Sequence, residues 1–312
     1  MPTATITAGG PTSICSGSNV TLTASGGSTY VWNNGATTAS IVANTSGNYS
    51  VTVYNANGCS AISTPTTVTV NNPSVANVST SGPTTFCQGG SVNLTATTAA
   101  SYAWSNGATT QSISVNTSGN YSVVLTNASG CTSTSPVIAV TANALPTATI
   151  TAGGSTTFCQ GGSVTLTASP ATSYLWSNGA TGSSINVTTA GNYTVQIANN
   201  SGCTANSAAT TVTVNALPVA TITASGSLSI CAGSSVNLTA STGTAYLWSN
   251  GATTATIAAS NAGNYTVQVS NAAGCTSTSS VSSVIVNALP TPSITSVGST
   301  TICQGASVTL TT

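Results

Sequence analysis

The sequence predicts an all-β protein, built as a tandem array of small antiparallel β-sandwiches. Three observations support this prediction: a strict internal period, alternation of apolar and polar residues within the period, and Asn-Gly turns at matching positions. The nine cysteines are separated alternately by 44 and 28 residues, which gives a period of 72. No insertion or deletion interrupts the period, so one unit is copied along the chain.

The period divides the 312 residues into four complete repeats and the start of a fifth. Their bounds are 1–72 (repeat 1), 73–144 (repeat 2), 145–216 (repeat 3), 217–288 (repeat 4) and 289–312 (incomplete). Each complete repeat has one Trp and one Gly-Asn-Tyr tripeptide. We expect these aromatic side chains to form the cores of the sandwiches: Trp32, Trp104, Trp176, Trp248, Tyr49, Tyr121, Tyr193 and Tyr265.

The strands are predicted from alternation with a period of two. In repeat 1, Val20, Leu22 and Ala24 alternate with polar residues, which puts one set of side chains on a buried face. Thr, Val, Ile and Tyr dominate such runs and suit a pleated surface. Asn34-Gly35 supplies a tight turn after the Trp strand. The predicted strands are Ala4–Ala8, Thr12–Ile14, Asn19–Ala24, Tyr30–Trp32, Ser40–Ala43, Asn48–Tyr54 and Cys59–Val70.

The composition excludes most enzyme classes. The chain has no Lys, Arg, Asp, Glu or His, so it lacks the usual groups for general acid–base catalysis, phosphate recognition and binding of hard cations. We therefore expect no enzyme activity, no catalytic residue, no cofactor, no metal site and no nucleic-acid partner. No apolar stretch approaches the length that spans a membrane, so we expect no membrane-spanning segment in this chain.

Four motifs of repeat 1 recur with minor variation in the other complete repeats. They are Cys-x-Gly-x-x-Val-x-Leu-x-Ala (15–24), Tyr-x-Trp-x-Asn-Gly (30–35), Ser-Gly-Asn-Tyr-x-Val-x-Val (46–53) and Gly-Cys (58–59). With these motifs the chain resembles immunoglobulin-like repeats, and more closely the Cys-containing repeats of large Bacteroidota cell-surface proteins of the adhesin and gliding-motility type. The resemblance covers nearly the whole chain. It implies immunoglobulin-like sandwiches and an extracellular, cell-surface location.

The resemblance leaves two disulfide schemes open. On immunoglobulin topology, Cys15 and Cys59 lie at opposite ends of a sandwich, and a seven-residue strand spans roughly 23 Å, whereas bridged Cα atoms lie about 4.4–6.8 Å apart. Head-to-tail stacking would instead join Cys15 to Cys131. The alternative joins Cys15 to Cys59, within one repeat. Either scheme indicates an oxidising compartment. The disulfide candidates are Cys15, Cys59, Cys87, Cys131, Cys159, Cys203, Cys231, Cys275 and Cys303.

Two functions remain in competition. Two features favour a structural protein. The linkers between repeats are short and contain Pro, as in Asn143–Pro146. The chain also lacks the charged residues that usually prevent exposed sheet edges from pairing with other strands. It would form an extracellular fibre or a rigid surface stalk that associates, laterally or head to tail, with other copies of itself. The alternative is a ligand- or glycan-binding module of an adhesin, with surface glycans as partners. Tyr30 and Trp32 would then form an aromatic platform, although a core Trp is the favoured interpretation.

Overall fold

The computed structural model describes all residues from Met1 to Thr312, and its regular structure consists entirely of strands. Contacts between Cα atoms divide the chain into two compact units. The first contains Met1–Pro146 and Ala198–Thr204, and the second contains Thr147–Ile197 and Ala205–Thr312. No helix of a length and hydropathy suited to crossing a membrane is present.

The strands recur in the same order in every complete repeat. Repeat 1 contains β1 (Thr5–Ala8), β2 (Ser13–Cys15), β3 (Val20–Ser25), β4 (Thr29–Trp32), β5 (Ser40–Ala43), β6 (Gly47–Tyr49), β7 (Val51–Tyr54), β8 (Ser60–Ile62) and β9 (Thr66–Asn71). Repeat 2 contains β10 (Val78–Thr80), β11 (Thr85–Cys87), β12 (Val92–Ala96), β13 (Ser101–Trp104), β14 (Ser112–Val115), β15 (Gly119–Tyr121), β16 (Val123–Thr126), β17 (Thr132–Thr134) and β18 (Ile138–Asn143).

The second half of the chain follows the same pattern. Repeat 3 contains β19 (Ile150–Ala152), β20 (Thr157–Cys159), β21 (Val164–Ala168), β22 (Ser173–Trp176), β23 (Ser184–Val187), β24 (Gly191–Tyr193), β25 (Val195–Ala198), β26 (Thr204–Asn206) and β27 (Thr210–Asn215). Repeat 4 contains β28 (Ile222–Ala224), β29 (Ser229–Cys231), β30 (Val236–Ala240), β31 (Ala245–Trp248), β32 (Thr256–Ala259), β33 (Gly263–Tyr265), β34 (Val267–Ser270), β35 (Thr276–Thr278) and β36 (Ser282–Asn287). The last residues form β37 (Thr295–Val297) and β38 (Thr309–Thr311).

Each repeat combines three short sheets. In repeat 1 their strand orders are β1-β3-β5, β4-β7-β8 and β2-β9-β6. All pairs are antiparallel except β2 with β9, which run parallel. The corresponding strands of repeats 2, 3 and 4 have the same orders. The sequence-based fold class is therefore confirmed: the chain is an all-β tandem array of small immunoglobulin-like antiparallel sandwiches.

Two predicted strands are each divided into two, so a repeat has nine strands instead of seven. The predicted strand Asn48–Tyr54 is interrupted at Ser50, whose backbone N–H donates to the side chain of Asn33 at 3.2 Å. The predicted strand Cys59–Val70 is interrupted beside Ser63, whose hydroxyl accepts from the N–H of Val51 at 3.2 Å. At both points a backbone N–H donates to a side-chain oxygen instead of to the backbone of a neighbouring strand. The chain passes from one sheet to another there.

Each repeat has its own hydrophobic core around its Trp. In repeat 1 the exposed fraction is 1% for Trp32 and 0% for Leu22 and Val51. The indole N–H of Trp32 donates to the carbonyl of Thr38 at 2.9 Å, so burial leaves no unpaired donor. Tyr30 is half-buried against the same core. Because Trp32 is buried, it is unavailable for stacking with a sugar ring.

Candidate functional site: the junction between repeats

The first cysteine of each repeat lies beside the residue through which the chain leaves that repeat. In repeat 1, β2 ends at Cys15, and the parallel register places Cys15 opposite Asn71 at the end of β9. The N–H of Ser16 donates to the carbonyl of Asn71 at 2.9 Å and fixes this position. The same register joins the other first cysteines to the last strand residues: Cys87 to Asn143, Cys159 to Asn215 and Cys231 to Asn287.

The second cysteine of each repeat ends a tight Asn-x-x-Gly-Cys turn. In repeat 2, the side-chain carbonyl of Asn127 accepts from the N–H groups of Ser129 at 3.0 Å and Cys131 at 2.9 Å. Gly130 has φ of 80°, a left-handed conformation that glycine adopts without steric cost. The turn therefore holds the sulfur atom of Cys131 in one place relative to the sheet.

Three disulfides join the first cysteine of one repeat to the second cysteine of the next. They are Cys15–Cys131, Cys87–Cys203 and Cys159–Cys275, with Cα–Cα distances of 5.5, 5.5 and 5.6 Å. Every bridge has the same sequence separation of 116 residues. The structure thus contains the pairing between repeats, and the alternative pairing within a repeat does not occur.

The turn that carries the second cysteine also binds the linker between repeats. The amide nitrogen of Asn127 donates to the carbonyl of Asn72 at 2.8 Å, and the Sγ atom of Cys131 lies 3.6 Å from the carbonyl of Asn71. The hydroxyl of Ser133 donates to the carbonyl of Ser74. We call this set of contacts, together with the disulfide, the repeat junction. The two later junctions repeat the linker bond, from Asn199 to Ala144 and from Asn271 to Ala216, both at 2.8 Å.

The junctions bury the second cysteine. The exposed fraction is 1% for Cys131, 0% for Cys203 and 1% for Cys275. The second cysteine of each bridge is therefore shielded from thiols in solution, whereas the first cysteine (Cys15, Cys87 or Cys159) is partly exposed. These features are typical of structural disulfides.

Three of the nine disulfide candidates form no bridge within the chain: Cys59, Cys231 and Cys303 are free and exposed. The reason is the fixed separation, since a partner 116 residues away would lie outside residues 1–312. The turn around Cys59 nevertheless has the same internal bonds as its counterparts. The side-chain carbonyl of Asn55 accepts from the N–H groups of Asn57 and Cys59, both at 3.0 Å.

The structure offers little else that resembles a binding or catalytic site. Two open crevices have volumes of about 320 Å³ each. One is lined by residues around Gly9–Thr21, and the other by Gln160, Thr188–Ala190, Val214 and Ala216, so neither presents an aromatic ring. No three cysteines lie together as metal ligands would.

Sequence reasoning missed one component of the junction. The asparagine side chains that bind the linker lie outside the motifs identified from the sequence, yet their repetition was visible. Asn55, Asn127, Asn199 and Asn271 occupy the same position in all four repeats, three residues before the glycine of the turn. Other turn residues would also form this turn, so the presence of Asn in every copy indicated a further role for its side chain.

The sequence matches no protein-family model and no curated protein. Among solved structures, it is similar to the N-terminal eight immunoglobulin domains of Down Syndrome Cell Adhesion Molecule, with 16% identity, a TM-score of 0.27, and coverage of 91% of this chain and 47% of that chain. This chain therefore spans about half the length of that structure. It is also similar to the N-terminal four immunoglobulin domains of Dscam1 isoform 6.9, with 12% identity, a TM-score of 0.22, and coverage of 88% and 96%.

A third similar structure is a glucan-utilization protein, SGBP-B of Bacteroides ovatus, in complex with a mixed-linkage heptasaccharide. Its identity is 16%, its TM-score is 0.19, and the match covers 65% of each chain. The fold and the junctions of the present chain define it as a disulfide-bridged tandem array of immunoglobulin-like sandwiches.

Proposed function

We propose that the chain is a structural protein that forms an extracellular fibre or a rigid surface stalk. The observation that carries this proposal is the repeat junction: three junctions have the same bridge and the same asparagine-to-linker bond. The same contacts recur at every junction, as expected for a protein whose function depends on how its repeats are connected.

The junction opposes bending because it joins neighbouring repeats at two covalent points. The linker is one point, and the disulfide is the other. Domains connected by a linker alone usually move relative to one another. Pro146 and Pro218 further restrict the linkers by fixing φ. We therefore expect each junction to keep a set angle.

The disulfides support a location outside the cytoplasm, because such bonds persist in oxidising compartments. They also compensate for the small size of each sandwich, which buries a limited core. With no charged residue in the chain, stability has to come from packing, hydrogen bonds and these bridges.

Association with other copies is supported by the exposed surface. Val42 and Ile62 are exposed by 61% and 72%, and they lie in β5 and β8, which are edge strands of their sheets. Natural edge strands usually have charged residues that discourage pairing with another chain. None is present here, and the formal net charge is zero.

Small-angle X-ray scattering and negative-stain electron microscopy test the stiffness. The oxidised chain should give a narrow distribution of lengths, and the double variant Cys15→Ser/Cys131→Ser should give a broader one. Cys59→Ser is the matched control, because it removes a cysteine without removing a bridge. An oxidised chain whose repeats move as independently as those of the double variant would overturn the proposal.

The alternative function is a glycan-binding module of an adhesin, favoured by one exposed aromatic ring. Tyr54, exposed by 36%, is the only Tyr or Trp among the exposed large hydrophobic side chains. The other repeats have Thr126, Ala198 and Ser270 at its position, so a site there would not be repeated. A glycan array on which Tyr54→Ala removes binding would support this alternative, and an array without binding would exclude the tested glycans.

A further inference from the structure

We propose that a second copy of this chain binds along β23 in repeat 3, and that the two β23 strands pair antiparallel about a two-fold axis. The inference rests on the proposed function and names the surface through which two copies associate. The pairing joins the three-stranded sheet β19-β21-β23 of both copies into one continuous sheet. It follows from a position at which repeat 3 differs from the other complete repeats.

The strand β23 lies at the edge of its sheet and bonds to a neighbour on one side only. The backbone N–H of Ala168 in β21 donates to the carbonyl of Ser183 at 2.8 Å. Residues of an antiparallel strand point alternately toward and away from a given neighbour, so Ile185 also bonds to β21. The backbone groups of Ser184 and Asn186 therefore point out of the sheet edge, and both residues are exposed.

The other complete repeats satisfy one of these outward carbonyls with a side chain. In repeat 1, the hydroxyl of Thr38 donates to the carbonyl of Ser40, the counterpart of Ser184, at 2.6 Å. Repeats 2 and 4 have the same bond at 2.7 Å, from Thr110 to Ser112 and from Thr254 to Thr256. Since unpaired edge groups recruit strands from other chains, this hydroxyl protects the edge.

Repeat 3 has a glycine at the position of the protecting threonine. Gly182 has no side chain, so the carbonyl of Ser184 lacks this bond. The backbone does not require a glycine there: Gly182 does not have a positive φ, and its carbonyl accepts from the indole of Trp176 at 2.8 Å, as the carbonyl of Thr38 does in repeat 1. We call β23 the open edge.

The open edge is complementary to itself, which identifies a second copy as the partner. Ser184 and Asn186 are two residues apart, so a two-fold axis beside Ile185 places Ser184 of each copy opposite Asn186 of the other. Each such pair exchanges two backbone hydrogen bonds, and the two pairs together supply four. Neither strand has a charge that opposes the approach.

The side chain of Asn186 adds to this complementarity. Its amide has both donors and an acceptor, and in the pair it lies beside the hydroxyl of Ser184 from the other copy, where the two can bond across the strands. The equivalent residues of the other repeats have no amide: Val42, Ser114 and Ala258. Repeat 3 thus differs from the others at both residues that shape its edge.

Sedimentation equilibrium measures the association, with the three bridges intact and the free thiols alkylated. The chain should dimerise reversibly as its concentration rises. Gly182→Thr should weaken the dimer about 10- to 100-fold, because the carbonyl of Ser184 in each copy is then bonded internally and two of the four backbone bonds lose their acceptor. Gly154→Thr is the matched control. Gly154 is exposed, lies outside β23 and has no atom near its Cβ position, so this variant should dimerise normally.

A second variant opens an edge that is protected. Thr110→Gly leaves the carbonyl of Ser112 without its hydroxyl bond, so a chain with open edges in repeats 2 and 3 should form species larger than dimers. Thr109→Gly is its control, because Thr109 is exposed and outside this bond. A Thr110→Gly chain that associates no further than the control contradicts the protective role of the threonine and overturns the inference.

Disulfide trapping tests the register of the pair. One chain carries Ser184→Cys and another carries Asn186→Cys, and Cα atoms of a bonded antiparallel pair lie about 5.5 Å apart, within reach of a disulfide. Both chains also carry Cys59→Ser, Cys231→Ser and Cys303→Ser, which remove the free thiols. After mild oxidation, the mixture should give a cross-linked dimer whose bridge joins positions 184 and 186. Each chain alone should give little, because equal positions of the two strands are not opposite each other.

The outcomes separate this inference from the proposed function. A chain that stays monomeric at every concentration overturns the inference, while stiff particles in scattering would still support a structural protein. A dimer that Gly182→Thr weakens no more than Gly154→Thr does also overturns it, because the contact then lies elsewhere. Repeats that move independently within a dimer of the expected register would overturn the proposed function and leave the contact at the open edge in place.

Discussion

Removal of one bridge gives the most direct measure of the repeat junction. In the double variant Cys15→Ser/Cys131→Ser, the first compact unit keeps its hydrophobic cores and the bond from Asn127 to the linker, and it loses one S–S bond. Serine is the appropriate replacement, because it is nearly the size of cysteine and leaves little empty space at the junction. The measured loss therefore reports mainly the covalent constraint.

The expected magnitude follows from the loop that the bridge closes. For a separation of 116 residues, chain entropy alone predicts about 5 kcal/mol, and measured losses for native disulfides are typically about 2–4 kcal/mol. We expect about 3 kcal/mol. For a unit of roughly 150 residues, this corresponds to a fall in Tm of about 6–12 °C.

Guanidinium unfolding followed by Trp fluorescence measures this loss, because Trp32 and Trp104 are buried on the two sides of the junction. Differential scanning calorimetry gives the shift in Tm. Cys59→Ser should change the free energy of unfolding by less than about 0.5 kcal/mol, as surface substitutions generally do. A double variant that is as stable as this control would refute the view that the bridge constrains the array.

Three other predictions concern the junction, the core and the solvent. Asn127→Ala should cost about 1 kcal/mol more than Asn55→Ala in denaturant unfolding, because both lose the bonds of the turn but only Asn127 also binds a linker; equal losses would contradict the role of the linker bond. Leu166→Ala should cost about 3–5 kcal/mol, because Leu166 is exposed by 0%, whereas Leu175→Ala, at a side chain exposed by 51%, should cost below about 0.5 kcal/mol; similar losses would contradict the assigned core. The free energy of unfolding should be nearly the same at pH 3 and pH 7 and in low and high salt, because the chain has no Asp, Glu or His side chain to change its protonation and no ion pair between side chains to be screened. Unfolding at pH 3 would contradict this.

The sequence predicted the fold class well because the pattern is local and repeated. Alternation with a period of two and the Asn-Gly turns specify strands and hairpins without knowledge of distant contacts. The same local pattern could not show the interruptions at Ser50 and Ser63. Those depend on side-chain bonds to Asn33 and Val51, which are distant in sequence, so the strands were predicted as continuous.

The pairing of the cysteines depended on geometry that the sequence gives only indirectly. Equal spacing fits a bridge within a repeat as well as one between repeats. The parallel pairing of β2 with β9 favours the bridge between repeats, because it places Cys15 next to Asn71, at the C-terminal end of its own repeat. The linker contact of Asn127 was invisible for the same reason, since its partner is a backbone carbonyl, which no residue type marks.

The overlapping bridges also determine how the chain responds to tension. A pull on its two ends is carried from Cys15 through the first bridge to Cys131, along the backbone to Cys159, and through another bridge to Cys275. Most of the polypeptide between Cys15 and Cys275 therefore lies off the shortest covalent path. If a sandwich unfolds under force, the bridges keep most of its polypeptide from extending. The chain therefore lengthens far less than an unbridged row of domains of equal size.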